Sequence, residues 1–336
     1  MKIVMLGFTG AGKTTYMASL YGAMQRELKG FSLRANEQET RKQLLNLSDE
    51  ILLGKYPPPT AIRDEYEFHL KFQGKDVLPF TWSDYRGGAL REKQENAQAR
   101  KLVEDLQEAD GIMMLCDSNS LATRNLRSNQ LGRMITLVTK SLQNRERPVS
   151  VGIILTKFDL VSNFSQDMLN SFMGVVEAIE NSDLVFGAII PIACGRQILN
   201  VQLPLLFALH IEVIYQAAFQ KFALEHYIED AQKWAKKSEG VWGGVRWAFD
   251  KVTGNPTDEE IASIQLAKAF SNYEKLQELI EPVQGFSEAI QNLPLIEKGT
   301  NQMEYCHQIN QIFHNSSNFR GSSYSHSSVS NPFNAF

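Results

Sequence analysis

Three short stretches of this chain carry residue types at spacings that suit chemistry on a nucleoside triphosphate. Gly7-Phe8-Thr9-Gly10-Ala11-Gly12-Lys13-Thr14 has the pattern G-x-x-x-x-G-K-[ST]. Glycines at Gly7, Gly10 and Gly12 let the backbone wrap closely around phosphate oxygens, so that successive N–H groups, Ala11 among them, point at the anion. Lys13 supplies a cation for the terminal phosphates, the Thr14 hydroxyl is a hard oxygen ligand for Mg²⁺, and Thr15 extends the phosphate-binding set. Trp82-Ser83-Asp84-Tyr85-Arg86-Gly87 ends in D-x-x-G. There Asp84 can hold Mg²⁺ through water and the Gly87 N–H can meet a γ-phosphate. Ile153-Ile154-Leu155-Thr156-Lys157-Phe158-Asp159 ends in T-K-x-D. The Asp159 carboxylate can accept two hydrogen bonds from guanine N1 and N2, whereas adenine offers no matching donors, and the Lys157 stem can lie across the base plane.

These stretches need a strand before and a helix after the glycine-rich turn, and the apolar pattern supplies both. Strands are expected at Lys2–Leu6, Glu65–Phe72, Val77–Trp82, Gly111–Cys116, Val151–Leu155 and Gly187–Ile192. Helices are expected at Lys13–Glu27, Glu37–Leu53, Glu92–Glu108, Asn119–Gln143, Asp167–Asn181 and Pro204–Lys237. That alternation specifies an α/β, three-layer fold around a mostly parallel six-stranded sheet. Gln73-Gly74-Lys75-Asp76 suits an antiparallel hairpin between two of the strands.

With these motifs in this order, the first 225 or so residues resemble P-loop GTPases of the translation-factor-related class, with a Ras-like G domain. The resemblance implies GTP/GDP and Mg²⁺ as ligands. It also implies a switch threonine at Thr60, in Pro57-Pro58-Pro59-Thr60-Ala61-Ile62, whose hydroxyl and carbonyl sense metal and γ-phosphate. Ile192-Ala193-Cys194-Gly195 stands in place of the family's S-A-x loop, which makes Cys194 the expected contact to guanine O6 through a backbone N–H. The W-x-D-Y-R-G-G stretch is also similar to bacterial double-GTPase-type proteins of conflict and defence systems.

This sequence departs from the family at three places. Thr156 replaces the commoner Asn, a change compatible with guanine binding but expected to loosen the contact with the P-loop. Gly88 stands where typical members carry the Gln that orients attacking water. Arg86 lies inside the D-x-x-G turn. Arg63, Arg86 and Arg91 fall in the expected switch segments, where an arginine acting in cis or across a homodimer could stabilise charge on the transferred phosphoryl group. For each taken singly, a surface ion pair is the favoured reading. Lys13, Thr60 and Arg86 are the catalytic candidates, and slow turnover accelerated by a protein activator or by self-association is the expectation. Asp117 also ends an apolar run, as in an ATPase, but Ser118 follows it instead of Glu, so Asp117 is read as a structural strand-end residue.

Composition sets outer limits. The 336 residues carry 34 Lys and Arg against 38 Asp and Glu, too balanced for a nucleic-acid binder that works by bulk positive charge. Three cysteines without metal-ligand spacing, six scattered histidines and an amino terminus that runs directly into the glycine-rich turn point to a cytoplasmic protein without disulfides or zinc. After the G domain (1–225), a helical extension (226–312) is expected, with Thr257-Asp258-Glu259-Glu260 as a capping box. Trp234, Trp242, Trp247 and Phe249, among Lys and Arg, form an amphipathic stretch for which core packing is favoured over contact with a membrane or partner. A flexible Ser/Asn-rich tail is expected at 313–336.

Overall fold

The computed structural model describes residues 1–58, 64–85, 97–125, 131–238, 258–299 and 301–318. One eight-stranded sheet organises them, in the order β2-β3-β4-β1-β5-β6-β7-β8. Its strands are β1 (Lys2–Gly7), β2 (Phe31–Ala35), β3 (Asp64–Phe72), β4 (Lys75–Asp84), β5 (Gly111–Asp117), β6 (Val149–Thr156), β7 (Val185–Pro191) and β8 (Leu295–Ile296). The five from β4 to β7 run parallel, while β2, β3 and β8 are antiparallel to their neighbours.

Two strands correct the six-stranded expectation. β2 alternates Phe31, Leu33 and Ala35 inward with Arg34 outward, but five edge residues between two strong helical patterns give a weak signal. β8 is two residues long and pairs only with Gly187 and Ala188. The β3–β4 hairpin turns on Gln73 (φ 48°) and Gly74 (φ 78°), two consecutive left-handed residues as a two-residue hairpin turn demands.

Strand periodicity sorts the core into two layers. Ile3 and Met5 of β1 face one side, with α1 (Lys13–Ala23) and α2 (Gln38–Leu52). Val4 and Leu6 face the other, with Leu102 and Leu106 of α3 (Ala97–Glu108) and Met134 and Val138 of a later helix. β1, β5 and β6 are apolar almost throughout because both faces are covered.

The same alternation aims the end of β4. Trp82, fully buried, packs against Tyr16 of α1 (ring centroids 5.9 Å) and Phe68 of β3 (6.0 Å). Two residues on, Asp84 shares that face, while Tyr85 enters the opposite layer.

The expected helix Asn119–Gln143 is instead α4 (Ser118–Ala122) and α5 (Leu131–Ser141), with Arg124 left-handed after the first (φ 54°). The expected Asp167–Asn181 divides into α6 (Gln166–Asn170) and α7 (Met173–Glu180), with the fully buried Phe172 at the N-cap position of the second. α8 (Leu203–Ser238) runs unbroken through position 225, and α9 (Asp258–Ile290) returns beside it. α10 (Gln302–Asn318) extends past His314, and residues 319–336 of the expected tail lie outside the described residues, as do Trp242, Trp247 and Phe249.

Candidate functional site

The strand–turn–helix that the first motif requires is present. β1 ends at Gly7, Ala11 N–H donates to the Phe8 carbonyl (3.0 Å), and α1 starts at Lys13. Gly10 (φ 85°) and Gly12 (φ 88°) are both left-handed, which strains any other residue. At Gly7 the constraint is space, since a Cβ would sit 3.0 Å from the Leu115 carbonyl oxygen.

The Lys13 side chain is buried and its ammonium donates to the Gly7 carbonyl at 2.9 Å. Burial lowers its pKa, and the nearby charge of Asp84 pulls it back up. A cation and a carboxylate are thus held close together in a dry setting beside the turn. Thr14 lines the cleft beside this turn, whereas Asp84 is almost fully buried behind it and is not part of the lining. Among the described residues no group of three or more His, Cys, Asp or Glu could cage a metal.

One cleft of about 550 Å³ joins the phosphate side to the T-K-x-D side. Gly10, Gly12, Lys13, Thr14 and Thr15 line one end, and Thr156, Lys157, Asp159 and Cys194 line the other. Gly7 and Ala11 are absent from the lining, though the Ala11 carbonyl anchors Thr156 from behind. The Thr156 hydroxyl lies 2.8 Å from that carbonyl oxygen and 3.1 Å from the Cys116 carbonyl oxygen. The hydroxyl thus keeps a contact with the P-loop backbone across 145 residues of sequence.

Lys157 is left-handed (φ 54°), and its ammonium pairs with Asp117 at 2.6 Å. Asp117 also caps α4 by accepting from Ser120 N–H at 3.1 Å. Its strand-end position was legible, but its hold on Lys157 was missed. The signal is register, because β5 and β6 end side by side with Asp117 opposite Thr156.

Asp159 sits exposed in a single 3-10 turn, Phe158–Leu160. Phe158 N–H donates to the Ile192 carbonyl (3.1 Å), bracing this turn against the loop that carries Cys194. Burial pushes the Cys194 thiol pKa up, with the Asp159 charge adding to it, so the sulfur stays a neutral part of the wall.

Tyr56, Pro57 and Pro58 also line the cleft. The Tyr56 hydroxyl packs so close to Gly195 that a Cβ there would meet it at 2.8 Å. The sequence placed Pro57 and Pro58 ahead of the switch threonine but gave no sign that Tyr56 would reach the second loop. Thr60, Arg63, Arg86, Gly87, Gly88 and Arg91 lie outside the described residues.

The glycine-rich turn and the T-K-x-D turn thus line one cleft. Residues 4–153 match the model of a family described as Double-GTPase 1. This region is a P-loop GTPase domain of the double-GTPase type. No curated protein matches the chain. For this GTPase domain, family implies guanine-nucleotide binding. The matched stretch takes in the P-loop and Asp84 and ends within β6, ahead of Thr156, Lys157 and Asp159.

Proposed function

We propose that this protein binds Mg·GTP in the cleft, hydrolyses it to GDP and phosphate, and changes conformation to control the binding of a protein partner in the cytoplasm. The observation that carries this reading is the cleft itself, with Lys13 and Thr14 at one end and Lys157 and Asp159 at the other. Its volume of about 550 Å³ is in the range of small-molecule and cofactor sites.

In this reading the P-loop amides and Lys13 hold the β- and γ-phosphates, and Asp159 and the Cys194 loop read the guanine edge. Thr14, Thr60 and Asp84 would hold the magnesium ion, which supplies charge neutralisation on the phosphates when bound. Water attacks the γ-phosphorus in line, so the protein contributes position and charge and no covalent nucleophile. Gly88 offers no side chain to orient that water, which makes Arg86 the candidate for stabilising charge on the transferred group. Thr60 and the stretch from Asp84 to Arg91 would be the two switches, ordered by the γ-phosphate and released on its loss.

Gly88 also favours a second reading, a nucleotide-loaded scaffold that barely hydrolyses. Phosphate release measured across a range of protein concentrations separates the two. Activity that rises with concentration supports the switch, and background activity with tight GTP binding supports the scaffold. Guanine specificity is tested by Asp159→Asn, which is expected to shift preference from guanine to xanthine nucleotides. Unchanged preference would remove Asp159 from the base site.

A further inference from the structure

α8 leaves the sheet at about Val213 and α9 rejoins the body at about Pro282. Between Ile214 and Lys233 of α8 the only buried residue is Ala231, and between Ile261 and Glu281 of α9 the only ones are Ala262 and Ala269. About twenty residues of each helix, roughly 30 Å at 1.5 Å per residue, therefore have only each other as cover among the described residues. The pair is packed inside out: alanines fill the seam and large apolar side chains stand outside.

Those outer side chains are in register. The helices are antiparallel, with His210 against Phe286 (6.0 Å) and the Lys268 ammonium over the Tyr227 ring (5.6 Å). That register places Ile214 level with Ile280, Phe222 with Tyr273, and Ile228 with Leu266. These six are 38–68% exposed. They recur about every seven residues along both helices, the repeat with which helices pack as bundles.

We propose that this face is where a second copy of the chain docks, two helical hairpins closing into a four-helix bundle. Three rungs spaced six to eight residues apart make a surface that can match itself under a two-fold axis, as a homodimer interface must. At these exposures the six side chains offer on the order of 600 Å² per chain, the contribution of each partner to a specific interface at the small end of the standard range. A lipid surface fits less well. Leu203–Lys233 has the length and hydropathy of a membrane span, but half of its most apolar stretch is buried inside the protein. The stalk also carries six carboxylates (Glu225, Glu229, Asp230, Glu274, Glu278 and Glu281) against four lysines (Lys221, Lys233, Lys268 and Lys275), a small acidic excess that gives an anionic bilayer no attraction.

The test is sedimentation equilibrium on the full chain, together with hydrogen exchange at low and high protein concentration. A particle of twice the 38.0 kDa chain mass is expected, tightening as salt screens the acidic stalks. Amide exchange in 214–233 and 261–281 should slow about tenfold or more with concentration. Phe222→Glu with Leu266→Glu should give a monomer that binds nucleotide as the parent does. A monomeric parent with concentration-independent exchange overturns the proposal. So does a dimer that survives the double substitution, or a monomer that co-sediments with phosphatidylcholine or phosphatidylserine vesicles through these helices. Should the double variant misfold, the concentration dependence of exchange in the parent alone decides.

Discussion

The Thr156 hydroxyl ties the base-side turn to the phosphate-side turn by lying 2.8 Å from the Ala11 carbonyl oxygen. Thr156→Val keeps the shape and removes the one donor, leaving the Ala11 carbonyl short of a partner at a cost of about 1–3 kcal/mol. GTP and GDP should both bind about tenfold more weakly, by calorimetry, while Thr156→Ser stays near the parent. Lower stability with unchanged affinity would confine the bond to a structural role.

The Asp117–Lys157 pair makes a separate prediction. Asp117→Asn can still cap α4 through its side-chain oxygen but loses the charge that holds the Lys157 ammonium at 2.6 Å. A partly buried, charge-assisted bond is worth about 1 kcal/mol or somewhat more. GTP and GDP affinities should therefore fall together by about fivefold, with the hydrolysis rate of bound GTP little changed. Fluorescent-nucleotide titration and single-turnover kinetics read the two quantities. A loss confined to GTP would place Asp117 on the phosphate side instead.

Directly after Asp84, Tyr85 donates to the buried carboxylate of Asp105 on α3, which Lys2 (2.9 Å) and Lys101 (3.1 Å) also hold. Burial alone would raise the Asp105 pKa, but the Tyr85 hydroxyl and the two ammonium groups outweigh it and hold it at about 2. The unfolded carboxyl titrates near 3.9, so its contribution to stability is complete above about pH 4 and drains away as pH falls toward 2. Asp105→Asn should lower stability at neutral pH and flatten the denaturation profile across that window. Tyr85→Phe should lower stability and, by freeing the start of the D-x-x-G segment, slow hydrolysis more than it weakens GTP binding.

Local pattern carried the site further than it carried the fold's margins. The glycine-rich turn, the β4 end and the T-K-x-D turn were legible because each is contiguous and follows a long apolar strand. Trp82 and Asp84 share a face by simple alternation. What stayed hidden depends on pairing at a distance. β2 and β8 are strands only because β3 and β7 present edges to them. Tyr56 lines the cleft through the path of the chain after α2, and Asp117 meets Lys157 through the register of β5 on β6. The reverse error arose at α4 and α5, where a helical period ran on through residues whose backbone turns at Arg124.

His210 makes the remaining prediction, at the root of the α8–α9 pair. Both ring nitrogens are buried without a hydrogen-bond partner among the described residues, and the ring lies 6.0 Å from Phe286. Burial lowers its pKa to about 4, so the folded protein keeps the imidazole neutral where an unfolded chain, titrating near 6.5, would protonate it. Between about pH 6.5 and 4 the unfolded state binds more protons, and stability must fall as pH falls. His210→Leu is expected to flatten thermal stability across that interval while leaving the steeper loss below pH 4, where Asp105 titrates. An unchanged slope would mean that water reaches the ring and that the α8–α9 root is more open than its packing against Phe286 implies.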